Sequence, residues 1–406
     1  MAAPVDFARI AAPITEARCR EVLIDLVRVP SPLTALAEAE PLLRAFIAET
    51  IAPRLRAIGA EALRFDAMGN LIAEWGSGQS GRSLMLIGNA MNQPQATMTN
   101  AYVGEVRDGA EYGLPGEVVL GKGASEQKAV LAAMLVALEA LAASGVALTG
   151  RLSFVCCVSG ETGKHDAIRN VVEVEGVRAD VAILGGQSLR LSLGNRGRID
   201  VHLTVRGRPA HSSRPHEGCD AVTGAMELIG MLRAELDLSR SHTELGRATM
   251  AVTRLQSFPE SSHTIQDRVE LTLDRRLLPG EDPDTAYAEI VRIARQLQER
   301  QDPASGIAYK VETALGPFMH PSLIEVDSPA ARLISEAAEA VLGEAPETYY
   351  TANAFDQGYL NHVGIACVNY GPGEYRFAHT DLDMASVTRT RDAAKVYLRT
   401  ILDYLG

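Results

Sequence analysis

Apolar residues follow a helical spacing in some segments and form short continuous runs in others, and the two kinds of segment alternate along the chain. The first pattern predicts amphipathic or buried helices, and the second predicts buried strands. The predicted helices of the first half are residues 15–28, 35–58, 123–144 and a segment from about 164. The predicted strands there are residues 70–75, 83–88, 151–159 and 179–185. This alternation is typical of a largely parallel sheet with helices on both faces.

The pattern changes between about residue 196 and residue 315. Apolar and polar residues alternate in RIDVHLTVRG, which predicts a half-exposed strand. A helix at 217–236, strands near 247–255 and 267–276, a helix at 282–299 and a strand near 307–314 follow. The order β-α-β-β-α-β is that of a ferredoxin-like unit. The first pattern then returns with a helix at 327–342, a strand at 364–370 and a helix at 386–404.

The whole pattern therefore predicts an α/β protein with two domains. A doubly wound, mostly parallel sheet forms one domain from residues 1–195 and 316–406, and a ferredoxin-like α+β domain of residues 196–315 is inserted into it. A chain of 406 residues is long enough to fold as more than one domain.

Composition and charge exclude several classes of function. The net charge of -12 argues against nucleic-acid binding, which requires a basic face. We expect no membrane span, because no stretch approaches about 20 consecutive apolar residues. Asp6, Arg9 and Glu16 interrupt the N-terminal segment too early for a signal peptide. The five cysteines are an odd number without paired spacing, which favours a reducing cytoplasm.

Three side chains that commonly bind metals follow predicted strands or open a predicted helix. Glu126 lies in GKGASEQK, Glu161 in SGETG and His379 in GPGEYRFAH. Strand ends on one side of a parallel sheet converge, so these residues can share one crevice. Two carboxylates and one imidazole suit a catalytic divalent metal. In the alternative interpretation Glu126 is a surface residue that stabilises the dipole of a helix whose N-cap is Ser125.

The chain contains five notable segments in a fixed order: GKGASEQK, GETG, VRGRPAHSSRPHEG, LDRRLLPG and GPGEYRFAHTDLD. Together they resemble the two-metal amidohydrolase and carboxypeptidase family. The family includes carboxypeptidase G, aminoacylases and succinyl-diaminopimelate desuccinylase, and the resemblance covers nearly the whole chain. It implies that the inserted domain is a lid and dimerisation domain, that the protein is a homodimer, and that the substrate is a small carboxylated molecule.

Several positions depart from the family pattern, and the departures concern one of its two metals. The family has Gly-His-x-Asp at the first strand end, where this chain has Asn89 and Met91. The general-base Glu of the family falls on Gly160, and a later Glu that completes the first metal site falls on Gly186. The resemblance thus implies that the groups unique to the first metal are replaced here.

The ligands that the family uses for the second metal are retained as a set. Glu126 takes the position of the bridging Asp, and Glu161 and His379 match the remaining ligands. The resemblance therefore implies one divalent ion per chain, manganese or zinc, with iron as a further candidate. Asn89, near the replaced site, is a candidate catalytic residue, as a weak ligand or as a hydrogen-bond donor to the substrate.

Three further residues match functional positions of the family. His211 corresponds to a histidine of the inserted domain that reaches the partner subunit's site and stabilises a developing oxyanion; the alternative is a solvated loop histidine. Arg276 corresponds to an arginine that binds a substrate carboxylate, whereas Arg275 points to the other face of its strand and is expected to be structural. His263 stands where the family has an Asn near the substrate; it either contacts the substrate or faces solvent.

Gly160 stands where the family has its general base, and glycine has no side chain that can accept a proton. This changes the expected reaction, because a general base contributes roughly 10²- to 10⁴-fold to the rate of hydrolysis. We therefore predict a metal-dependent aminohydrolase that cleaves a carbon–nitrogen bond other than a peptide bond. The specific hypothesis comes from a resemblance to an atypical metal-dependent aminohydrolase of the same superfamily, which implies hydrolytic deamination of 5-nitroanthranilate to 5-nitrosalicylate and ammonia. The alternatives are an N-acyl amino acid amidohydrolase or carboxypeptidase, and a catalytically inactive binding protein with the same fold.

Overall fold

The computed structural model describes residues 6–406, which form two compact units. The larger unit contains the described residues up to Leu193 together with residues 324–350 and 359–406. The inserted unit comprises residues 194–323 and also the short segment 351–358.

The first part of the larger unit carries helices and strands in alternation. Its helices are α1 (Phe7–Ala11), α2 (Glu16–Val27), α3 (Pro41–Ala45), α4 (Ala52–Ala57), α5 (Ala129–Ser144) and α6 (Asp166–Arg169). Its strands are β1 (Ala62–Phe65), β2 (Leu71–Trp75), β3 (Ser83–Asn89), β4 (Glu105–Asp108), β5 (Glu117–Leu120), β6 (Arg151–Cys157), β7 (Val181–Gln187) and β8 (Leu191–Asn195). Wider π-helical turns occupy Phe46–Ile51, Ala124–Lys128 and Asn170–Val174.

The remaining elements complete the chain. The inserted part contributes β9 (Gly197–Arg206), α7 (Ala221–Glu235), β10 (Ser241–His242), β11 (Gly246–Arg247), β12 (Thr249–Phe258), β13 (Arg268–Leu277), α8 (Pro283–Gln296), β14 (Lys310–Met319) and β15 (Ser322–Leu323). The C-terminal part contributes α9 (Pro329–Leu342), β16 (Thr348–Thr351), α10 (Gln357–His362), β17 (Ala366–Gly373), β18 (Met384–Ser386) and α11 (Val387–Leu405).

A mixed sheet forms the centre of the larger unit, with the strand order β1-β2-β6-β3-β7-β17-β8. The four central strands β6, β3, β7 and β17 are parallel, as the sequence pattern predicts. The outer strands pair antiparallel, so the sheet is parallel only at its centre. Because the four central strands run in one direction, their carboxyl ends lie along one edge of the sheet.

Helix α5 lies in the core beside this sheet. The segment Ala124–Ser144 is the one helix of residues 6–406 that is long and apolar enough to cross a membrane, but 72% of its apolar 18-residue window is buried inside the protein. A helix that is apolar on all sides is expected in the interior of a large protein. We therefore interpret α5 as a core helix that carries the residues at its N-terminus to the edge of the sheet.

The inserted unit has the predicted order β-α-β-β-α-β, with a small hairpin of β10 and β11 in addition. Its antiparallel sheet has the order β12-β13-β9-β14, and α7 and α8 pack against one face. Burial alternates along β13, so that Leu271 and Leu273 lie in the core while Asp274 and Arg276 point to the other face. The predicted fold class, an α/β unit with an inserted ferredoxin-like unit, is confirmed.

Candidate metal centre

The carboxylates of Glu126 and Glu161 and the imidazole of His379 come together at the carboxyl edge of the sheet. His379 Nε2 lies 3.3 Å from Glu126 Oε2 and 3.6 Å from Glu161 Oε2. One donor atom from each residue lies within 4.8 Å of the others. Ligands at about 2.1 Å around one tetrahedral ion are about 3.4 Å apart, so this spacing fits a single divalent ion. In the part of the chain that the structure describes, this is the one group of its kind.

Glu126 is held by a cap that comes from a distant part of the sequence. The chain turns at Gly123, which has a left-handed φ of 82°, and enters the π-helical turn that precedes α5. Asp383 accepts hydrogen bonds from the backbone N–H of Gly123 (2.7 Å) and of Ser125 (2.9 Å). The prediction that Ser125 caps this helix is therefore wrong, since Ser125 lies within the first turn. Asp383 instead connects the Glu126 turn to the loop that carries His379.

Two glutamine side chains hold Glu161 in place. Gln93 Nε2 donates a hydrogen bond of 2.8 Å to Glu161 Oε2, and Gln127 Nε2 donates one of 3.3 Å to Oε1. Only 9% of the Glu161 side chain is exposed, so these bonds stabilise a carboxylate that has little contact with water. Neither glutamine is predicted from the sequence, although Gln127 adjoins Glu126 and Gln93 follows the end of β3.

The electrostatics of the three residues favour a bound cation. Hydrogen bonds to Glu126 and then Glu161 raise the pKa of His379 to about 10, because the carboxylates stabilise the imidazolium. Burial raises the pKa of Glu126, since the charged carboxylate loses hydration. Two carboxylates around one imidazolium leave one negative charge uncompensated, whereas a divalent ion with a neutral imidazole neutralises both carboxylates. The donor set therefore fits a divalent metal ion.

Metal affinity is expected to rise with pH, because His379 must lose its proton to bind the ion. Below the pKa of about 10, one displaced proton implies an increase of about tenfold in apparent affinity per pH unit. In the metal-free protein the raised pKa stabilises the fold below about pH 6.5, and this stabilisation is lost as the pH rises toward 10. Titration with Zn²⁺ against a chelator between pH 6 and pH 9 measures the slope. A slope that is unchanged in His379→Ala would contradict the assignment.

The backbone closes position 186, where the resemblance predicts that a ligand of the first metal is replaced. Gly186 lies in β7, and an added Cβ would be 2.6 Å from the backbone nitrogen of Tyr370. The pairing of β17 with β7 is irregular between Tyr370 and Gly373, which brings the two backbones together here. Added Cβ atoms at Gly371 and Gly373 would likewise lie 2.9 Å and 2.7 Å from backbone atoms of Gly186. No side chain fits at position 186 without a shift of the strands.

Asn89 and Gly160 lie side by side next to Glu161. Asn89 ends β3 and is in register with Cys157 of β6. A Cβ added at Gly160 would lie 3.2 Å from Asn89 Cβ and 3.1 Å from the carbonyl oxygen of Met91. The side-chain oxygen of Asn89 is buried and has no hydrogen-bond partner among residues 6–406. The neighbours of Gly160 thus include a neutral amide and the backbone of Met91.

The two candidate histidines of the inserted unit lie on adjoining loops. His211 is exposed, and its Nδ1 lies 2.8 Å from Ser213 Oγ. His263 is also exposed, and its carbonyl oxygen accepts a hydrogen bond of 2.9 Å from the backbone of Ser212. The structure therefore places both candidate histidines on one surface region of this unit.

Arg276 is paired with a carboxylate of its own strand. Its Nε and Nη2 donate hydrogen bonds of 2.8 Å and 3.0 Å to Asp274. Arg198 Nε lies 3.3 Å from the same carboxylate, so Asp274 stays paired if Arg276 turns away. Arg275 is buried and forms an ion pair of 2.7 Å with Glu281, which is the structural role that the alternation of the strand predicts.

Comparisons with known proteins extend over almost the whole chain. Residues 193–302 match the model of a peptidase dimerisation domain. The chain is 25% identical over 407 residues to succinyl-diaminopimelate desuccinylase 2 of Ruegeria sp. (strain TM1040), covering 95% of each protein. It is 27% identical to the succinyl-diaminopimelate desuccinylase of Xanthomonas euvesicatoria pv. vesicatoria, covering 79% of this chain and 84% of that protein.

Solved structures share the fold at lower identity. A metallo-carboxypeptidase of the M20 family from Sulfolobus solfataricus superposes with a TM-score of 0.77 at 16% identity, over 95% of this chain and 99% of that chain. Human carnosine dipeptidase 1 gives a TM-score of 0.73 at 16% identity, over 99% of both chains. These similarities confirm the two-unit fold.

Proposed function

We propose that this chain, a member of the metal-dependent amidohydrolase and carboxypeptidase family, is a hydrolase that uses one divalent ion to cleave a carbon–nitrogen bond of a small carboxylated molecule. The convergence of Glu126, Glu161 and His379 carries the proposal. The close approach of backbone at Gly186 supports one ion rather than two, because a further protein ligand has no room there.

Each residue of the site has a role in this proposal. Glu126, Glu161 and His379 would hold the ion, which we propose to be manganese or zinc, with iron as a further candidate. When bound, a divalent ion lowers the pKa of water from about 16 toward 7 and so supplies hydroxide near neutral pH. Gln93 and Gln127 fix the orientation of Glu161, which keeps its charge directed at the ion.

The inserted unit would supply the groups that bind the substrate. Arg276 binds the substrate carboxylate through its planar guanidinium once it is released from Asp274, which Arg198 continues to neutralise. We propose His211 as the group that stabilises negative charge developing on the substrate in the partner subunit, and His263 as a second contact to the substrate. The match to a dimerisation domain supports a homodimer formed through this unit. The five buried cysteines are compatible with a cytoplasmic location.

For the substrate we propose an aromatic amine of the 5-nitroanthranilate type. Gly160 offers no side chain to transfer protons, so a substrate whose ring itself accepts charge is favoured. In this reaction the oxygen of water bonds to the ring carbon, the ring delocalises the charge into its nitro group, and the carbon–nitrogen bond then breaks. The proton that water loses reaches the nitrogen, and ammonia and 5-nitrosalicylate are the products.

Hydrolysis of an N-acyl amino acid is the second candidate function. It is favoured by the likeness to two succinyl-diaminopimelate desuccinylases, because their names describe removal of an acyl group from an amine. A protein that only binds its ligand is the third candidate, and it has no need of a metal ion.

Metal content and product analysis separate these functions. We expect about one metal ion per chain by elemental analysis, in keeping with one group of three ligands, and release of ammonia from 5-nitroanthranilate. An analogue without the carboxylate, 4-nitroaniline, is the control and is expected to react more slowly. Release of amino acids from N-acyl amino acids, without ammonia from the aromatic amine, would favour the second candidate. Absence of both metal and turnover would favour a binding protein.

A further inference from the structure

We propose that the side-chain oxygen of Asn89 accepts a hydrogen bond from the leaving amino group of the substrate. The inference rests on the proposed function, because it assigns the leaving nitrogen of that reaction to one residue. Asn89 lies at the carboxyl end of β3, and its register partner Cys157 ends the neighbouring strand that leads to Glu161. The residue is therefore at the edge of the sheet where the three metal ligands meet.

The unpaired oxygen of the Asn89 amide indicates which kind of group it binds, namely a hydrogen-bond donor. Its Oδ1 is buried and accepts no hydrogen bond from the described residues. Buried acceptors are nearly always paired, and an unpaired one is unfavourable because it has lost its hydration. A ligand that donates a hydrogen bond at this point would satisfy the oxygen when it binds.

Two side-chain donors of the same site are already in use. Gln93 and Gln127 both direct their Nε2 groups at Glu161. Gln127 Nε2 would lie 3.4 Å from a Cβ at Gly160, and Asn89 Cβ would lie 3.2 Å from the same point, so the two amides are neighbours across the glycine. Asn89 Oδ1 is thus left for a donor that comes from outside the protein.

A hydrogen-bond acceptor at this position favours other groups of the substrate than a metal ion does. A metal ion attracts substrate oxygen, whereas an amide oxygen attracts N–H hydrogens and repels carbonyl, nitro and carboxylate oxygens. A primary aromatic amine can donate one N–H to Asn89 from the start of the reaction. After the oxygen of water has bonded to the ring carbon, the nitrogen gains a proton and leaves as ammonia, which can still donate to the same oxygen.

Binding of two ligands of nearly equal shape tests the inference without turnover. Anthranilate carries the amino group but lacks the nitro group that activates the ring, and 2-methylbenzoate replaces the amino group by a methyl group. Calorimetric titration of the metal-loaded protein is expected to give about tenfold tighter binding of anthranilate, the effect of one hydrogen bond. Asn89→Leu is expected to bind both ligands equally, whereas the neighbouring Met91→Leu keeps the preference.

Two further variants of Asn89 separate loss of the acceptor from a disturbance of folding. Asn89→Ala replaces Asn89→Leu if circular dichroism shows that leucine disturbs folding, and Asn89→Asp, which retains an acceptor, is expected to keep the preference for anthranilate. Equal affinities in the wild-type protein, or a preference that persists in Asn89→Leu and Asn89→Ala, would overturn the assignment while ammonia release still supports the proposed function. Absence of ammonia release from 5-nitroanthranilate would overturn both.

Discussion

Replacement of Glu161 by glutamine is expected to remove the metal ion and to lower kcat/KM by at least about 10³-fold, because hydroxide is no longer generated near neutral pH. The substitution keeps the size of the side chain but removes the charge that His379 and the ion require. Gln93 and Gln127 each donate to a different oxygen of the Glu161 carboxylate. An amide has only one oxygen, so at least one of these two hydrogen bonds is lost. Elemental analysis and steady-state kinetics on the same sample measure both effects.

A control separates this effect from a general loss of carboxylate charge. Glu111 is exposed on a turn of the same unit and has no hydrogen bond through its side chain among the described residues. Glu111→Gln is therefore expected to retain full metal content and activity. A Glu161→Gln protein that keeps one metal ion and wild-type kcat/KM would show that Glu161 is not a ligand.

The sequence predicts the parts of this protein that depend on local pattern. Amphipathic spacing predicts α2, α8 and α11, and alternation predicts the strands of the inserted unit, because each pattern reflects burial of one face. The convergence of Glu126, Glu161 and His379 is also predictable, since parallel strands end at one edge of the sheet.

Other features of the site depend on contacts between distant segments. Asp383 caps the turn at Ser125 from the far end of the chain, and no local signal distinguishes this aspartate from a surface residue. The small sheet of β4, β5 and β18 was not predicted, because its strands are three or four residues long and two of them lie far from the third in sequence. Short strands give too few positions for a period to be recognised.

The irregular pairing of β17 brings its backbone close to Gly186, which leaves little room for a further metal ligand at that position. The sequence predicts a strand at 364–370, but β17 continues to Gly373 and departs from regular register after Tyr370. The departure places Gly371 and Gly373 against Gly186. Glycine at 186 is therefore explained by packing of backbone on backbone.

Introduction of a side chain at Gly186 is expected to destabilise the protein by more than about 2 kcal/mol, because overpacked interiors shift backbone that is otherwise well packed. A Cβ at this position would lie 2.6 Å from the nitrogen and 2.8 Å from the Cα of Tyr370. Tyr370 cannot move freely, since its carbonyl oxygen accepts a hydrogen bond of 2.6 Å from the buried hydroxyl of Tyr397. The shift of the urea midpoint in Gly186→Ala measures the cost.

A second substitution at Gly186 tests whether the chain can be made to bind two metal ions. Gly186→Glu restores the residue type of the family, but the backbone contact that opposes alanine opposes glutamate as well. Metal content is therefore expected to stay at about one ion per folded chain, since the remaining donors form one group. Gly230→Ala in α7 is the control: nothing lies within 4 Å of its added Cβ, and it is expected to stabilise by about 0.5–1 kcal/mol. A stable Gly186→Glu protein that binds two ions would contradict the packing argument, because the strands would then have moved apart to admit the ligand.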